Sequence, residues 1–180
     1  KIPRRLHKKP FSPLATGGIF VNLKTKRITE SAMLLAVAIV LELVSKMFIP
    51  EMPFGGQVTL VSMLPVVLIS YRHGVKWGFA TSGLFAAVQL VQALIEGNVF
   101  PYCNTAAAVI VCILFDYVVP FGLLGATGIV SVKHGKIKIL SVIAVLIIIR
   151  FVCHFISGVT IWSGYAPENM LVPVYSLVYN

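Results

Sequence analysis

Five ionisable side chains fall inside long apolar runs of this sequence: Glu42, Lys46, Asp116, Arg150 and His154. A charge inside a membrane span is costly, so each such group is a candidate for function until a structural partner is found. Glu42 and Lys46 are four residues apart, in the order that favours an ion pair along one helix, and they read as a self-neutralised couple. Arg150 and His154 are also four apart, which puts them on one helix face. Arg150 reads as a structural cation that pairs with a carboxylate or caps carbonyls. Asp116 and His154 are the pair with chemical potential: a carboxylate and an imidazole at similar depth in different segments. Aromatic residues gather at the same level, with Phe100 and Tyr102 before the Asp116 segment, Tyr117 within it, and Trp162, Tyr165, Tyr175 and Tyr179 after the His154 segment. An interfacial aromatic belt explains any one of them. Together with Asp116 and His154 they suit a small, flat, cationic, nitrogen-bearing ligand, held by stacking, cation–π attraction and charge-assisted hydrogen bonds.

The elements that must position these groups follow from composition. Of 180 residues, 58% are hydrophobic and only 12% are charged, about half the charged share of soluble domains. Mean hydropathy is +0.92. The fold class this implies is an all-α membrane protein. Five apolar segments can be read, at about 30–49, 58–70, 75–94, 105–130 and 139–162. The second is shorter than the roughly 20 residues a full crossing needs and contains Pro65. Residues 1–28 form a basic arm without the apolar core of a secretory signal, and residues 29–180 form the membrane domain.

The net charge of +9 does not point to nucleic acid, because it is confined to the arm and to alternate loops. Lys and Arg occur at 72 and 76 and at 133, 136 and 138, while the loops between hold only Glu51, Glu96 and Glu168. The positive-inside rule then predicts a cytoplasmic N-terminus in a multi-pass plasma-membrane protein. Cys103, Cys112 and Cys153 form no metal-ligand pattern, no nucleophile elbow or phosphate loop is present, and neither a metal nor a cofactor is expected. A membrane-embedded enzyme using Asp116 and His154 as acid and base is the alternative from another class. On the first helix, Ala32 and Ala36 make a smooth small-residue face of the kind that lets helices approach closely.

Three blocks, "MPFGGQVTLVSMLPVVLISYRHGVKWG" (52–78), "DYVVPFGLLGATG" (116–128) and "RFVCHFISGVTIWSGYAP" with "YSLVYN" (150–167 and 175–180), resemble the thiamine-specific S component of energy-coupling factor (ECF) vitamin transporters. The resemblance runs from about residue 29 to the end. It implies a helical bundle that captures thiamine from outside and has no ATPase of its own. It also implies docking on a transmembrane coupling protein with two cytoplasmic ATPases, through the face carrying Ala32 and Ala36. Residue by residue, it implies ligand contacts from Asp116, Tyr117, His154, Gly158, Trp162, Tyr175 and Asn180. Phe85 and Phe54 stand where members carry other aromatics, and Tyr102 where a loop tyrosine is found. The family's sixth helix is expected beyond Asn180, leaving five segments in the bundle here. Phenylalanine at two tryptophan positions weakens cation–π attraction and leaves a thiamine precursor, or another vitamin, as an alternative ligand.

Overall fold

The computed structural model describes residues 22–48, 60–97, 99–130 and 136–179, and every element among them is helical. Helix α1 spans Leu23–Phe48, α2 Leu60–His73 and α3 Val75–Glu96. A composite helix, α4, covers Ala106–Ile129; α5 covers Lys136–Thr160 and α6 Val172–Tyr179. Short 3-10 turns at Phe100–Tyr102 and Trp162–Tyr165 lead into α4 and out of α5. α1, α3, α4 and the stretch Ile139–Thr160 of α5 are long and apolar enough to cross a bilayer. The 14 residues of α2 rise only about 21 Å, as expected of the short second segment, and α2 packs between α1 and α3. The five expected segments are therefore all helical. A further short helix, α6, precedes Asn180 and packs on α5. Ser176 fixes it there by donating to the Phe155 carbonyl at 2.9 Å.

The surface is apolar where a bilayer would touch it. Val37, Val40, Leu68, Leu84, Ile110 and Ile148 are all exposed, which a water-soluble bundle would bury. Inside, Ala38, Val66, Phe85 and Phe121 centre a core between α1, α2, α3 and α4.

Two local devices shape the bundle. The first is the irregular course of α4. It starts on Thr105, whose Oγ1 accepts from the Ala108 N–H at 3.1 Å, an ordinary N-cap. It widens to a π-helix over Ile113–Val118, where the Val119 N–H bonds the Leu114 carbonyl five residues back. Pro120 supplies the reason: it has no N–H for the carbonyl of Asp116, four residues earlier, so the α register cannot continue through it. Beyond Gly122 the helix tightens to 3-10 over Leu123–Ile129.

The second device follows from that tightening. With three residues per turn, Gly125 and Gly128 align on one edge, and that edge lies on the backbone of α3. A Cβ on Gly125 would stand 2.6 Å from Phe79 N and Cα, and one on Gly128 would stand 2.6 Å from Val75 N. Gly78 answers from α3, where a Cβ would reach 2.8 Å from the Gly125 carbonyl oxygen. A hydroxyl completes the seam: Ser82 donates to the Gly122 carbonyl at 2.8 Å, while Thr127 donates back to the Leu124 carbonyl within α4 at 2.8 Å. The Gly74 turn between α2 and α3 has φ +86°, which suits glycine alone.

The ion pair expected within α1 is not formed. Glu42 turns inward, 2% exposed, and accepts from the Ser62 hydroxyl of α2. Lys46 instead bridges to Glu96 at the end of α3. Each group is satisfied across helices, because the α1 face carrying Glu42 is covered by α2 rather than by solvent. At the opposite, basic end, Glu30 of α1 pairs with Arg72 of α2, and Trp77 Nε1 donates to Ser31 at 2.8 Å under the Arg27 guanidinium.

Candidate functional site

Asp116 projects from the π-helical stretch of α4 toward α5. Arg150, His154 and Ser157 recur there at spacings of four and three, which places them along one stripe. His154 Nδ1 lies 3.1 Å from Asp116 Oδ1, and the Ser157 hydroxyl donates to Oδ2 at 2.6 Å. Both carboxylate oxygens are thus engaged by α5. With Nδ1–H donating to Asp116, a neutral ring carries its lone pair on Nε2, the second nitrogen. The two side chains are only partly covered, at 15% exposed for Asp116 and 20% for His154.

Aromatic rings stand over the same end of the bundle. The turn before α4 and the turn after α5 bring Tyr102, Trp162 and Tyr165 together. Tyr102 and Tyr165 meet edge to face at 5.6 Å, and Trp162 lies 6.3 Å from Tyr102 and 5.9 Å from Tyr165. Phe100 stacks on Tyr117 at 6.2 Å, directly beside Asp116 in sequence. Gly158 is buried one turn beyond His154, and Tyr175 is buried on α6, which rests on α5.

The structure therefore brings Asp116, Tyr117, His154, Gly158, Trp162, Tyr102 and Tyr175 to one end of α4, α5 and α6. It does not bring Phe85 to the rings: that side chain is fully buried in the core, edge-on to Phe121 at 5.5 Å. Phe54 and Asn180 lie outside the described residues. Ala32 and Ala36 are exposed on α1, away from this site. Sequence reasoning missed Ser157, whose only signal was its place three residues after His154.

Arg150 continues the polar stripe into the core. Its Nη1 donates to Met63 Sδ at 3.1 Å, and its guanidinium stacks 4.6 Å from the Phe121 ring centroid. Arg150 also floors a recess of about 180 Å³ between α2 and α5, otherwise walled by side chains such as Val67, Leu124 and Leu146. An apolar recess whose one charge is positive does not suit an organic cation. The Asp116 end does, because it combines a carboxylate and an imidazole with aromatic rings on the same helices' flanking turns. Among the described residues no cluster of His, Cys, Asp and Glu could hold a metal ion.

Over residues 28–180 the chain matches the family described as Thiamine transporter protein. It is 38% identical over 165 residues to Thiamine transporter ThiT of Bacillus subtilis (strain 168), an alignment covering 86% of this chain and 80% of that protein. An all-helical membrane bundle, with Asp116 clasped by His154 and Ser157 between two of its helices, is thus the form taken here by a member of the thiamine transporter protein family.

Proposed function

We propose that this chain is the thiamine-capturing membrane subunit of an ECF-type importer. The observation that carries the reading is the Asp116 carboxylate, held by His154 and Ser157 on the two helices whose flanking turns bring the Tyr102, Trp162 and Tyr165 rings together. Thiamine is a permanent cation built of two flat rings, one bearing an amino group. The carboxylate takes the amino N–H by a charge-assisted hydrogen bond, and the Nε2 lone pair of His154 accepts a second donor or faces the thiazolium. The aromatic faces receive the cationic ring. Imidazole is neutral in this role, since a second positive charge would repel the ligand.

In this reading the aromatic end faces outward and the basic arm lies in the cytoplasm, as the alternation of charged loops supports. The exposed Ala32 and Ala36 face receives a transmembrane coupling protein, which two cytoplasmic ATPases drive.

Tryptophan fluorescence of the detergent-solubilised full chain, in a Trp77→Phe background, tests capture. Thiamine should quench Trp162 and saturate below micromolar ligand. No response to thiamine, with a response to its isolated aminopyrimidine alcohol, would reassign the ligand to a precursor. Ligand recovered chemically altered would move the reading to an enzyme. Docking has its own test: Ala36→Glu should leave quenching intact and abolish thiamine uptake by cells carrying the coupling module.

A further inference from the structure

Helix α3 turns one stripe toward α4: Gly78, Ser82, Phe85, Gln89 and Gln92, spaced alternately by four and three. The first three have partners there. Gly78 lies on the Gly125 carbonyl, Ser82 donates to the Gly122 carbonyl at 2.8 Å, and Phe85 meets the Phe121 ring at 5.5 Å. The partners recede along α4 as α3 advances, so the two helices run antiparallel. The next turn of α3 is therefore level with the π-helical stretch that carries Asp116 and Tyr117. α3 packs on that stretch, and Tyr117 packs against the core cluster that holds Phe85. On this turn stand the two glutamines. Gln89 is only 6% exposed. Its Nε2 and the Oε1 of Gln92 are both buried, and neither has a hydrogen-bond partner among the described residues. Each amide carries both a donor and an acceptor, so the pair offers both kinds whichever way each is turned. Leucine at these positions would close the seam without burying an unmet polar group. The glutamines are thus costly as packing and suited to a polar guest.

We propose that Gln89 and Gln92 are specificity-determining residues that form a hydroxyl subsite of the capture site and take the alcohol at the end of thiamine's two-carbon tail. This rests on the thiamine-capture reading. With the amino group on Asp116 and the cationic ring against aromatic faces, the alcohol is the remaining group of thiamine that both donates and accepts. One amide N–H donates to the alcohol oxygen, and the carbonyl of the other amide accepts the alcohol proton. A tail that lacks the hydroxyl leaves both amides unmet in a water-poor interior, and that loss is the source of discrimination.

The test compares two ligands in the full chain: thiamine, and its deoxy analogue in which an ethyl group replaces the hydroxyethyl tail. Both keep the two rings and the positive charge. The quantity read is the ratio of their Kd values. The parent protein should favour thiamine about tenfold, the worth of two neutral hydrogen bonds. The double variant Gln89→Leu/Gln92→Leu should bring that ratio to within about twofold of one. Amides that only hold ordered water or brace the bundle would shift both ligands alike, so a double variant that keeps the parent ratio overturns the proposal. If the leucine pair does not fold, Gln89→Met/Gln92→Met, unbranched and of similar length, is read in its place against the same expectation. A parent ratio near one overturns the proposal whatever the variants do. Failure of the parent protein to bind either ligand would strike the capture reading itself, a distinct result.

Discussion

Asp116 and His154 act as a unit, and their substitution separates charge from shape. Asp116→Asn keeps the size and removes the charge that meets an amino group. It should raise the thiamine Kd at least about tenfold. His154→Ala removes the ring that orients Asp116 and should be similarly costly, whereas Ser157→Ala leaves His154 in place and should cost only about threefold. Isothermal titration of the three variants checks that order. At this scale the two ionisable partners were legible, because a bilayer makes an unneeded Asp or His expensive. Ser157 was not, since serine is unexceptional in such helices and its role depends on a residue 41 positions away. Glu42 and Lys46 misled for a related reason. Their spacing favours a pair only where both are on the surface, and the burial of Glu42 against Ser62 is a tertiary fact. Phe85 stands at a family position that the fold places in the core cluster, where Tyr117 packs against it from α4.

Helices, as elements, carry the site through their irregularities. The π-helical stretch that carries Asp116 is traceable to Pro120, and the 3-10 stretch after it is what lines up Gly125 and Gly128. In a regular α-helix, residues three apart step round the axis by about 60°, and the two glycines would not share an edge. The repeat at 122, 125 and 128 is visible in the sequence, yet its meaning waits on the helix type, which depends on what α4 packs against. Gly125→Ala must displace the α3 backbone at Phe79 and should destabilise by about 1–3 kcal/mol, the usual range for overpacking. Gly83→Ala, where a Cβ meets nothing within 4 Å, should be close to neutral. Thermal unfolding in one detergent compares them directly.

For the whole molecule, the apolar surface and the separation of charge into alternate loops were readable at once, because the bilayer imposes both on any chain that crosses it. The short helix α6 was not, because eight residues with only modest polar flanks carry too little pattern to distinguish a helix from an outer loop. Orientation follows from the proposed topology and can be checked with a thiol. Cys103 is partly exposed beside the site, while Cys112 and Cys153 are buried. With the latter two replaced by serine, a membrane-impermeant maleimide should label Cys103 in intact cells. Labelling only after the cells are permeabilised would invert the topology.

The seam where α3 meets α4 has a consequence for how such a chain can change over generations. Most helix contacts are made by side chains, and a substitution on one side can be answered by a smaller or larger neighbour on the other. Here main-chain atoms meet main-chain atoms at Gly78, Gly125 and Gly128. No compensating residue exists, because a backbone cannot be trimmed. Those positions are closed to gradual drift, while the aromatic rings at the far end can be exchanged one at a time. A lineage can therefore retune what it captures while the framework beneath it stays fixed.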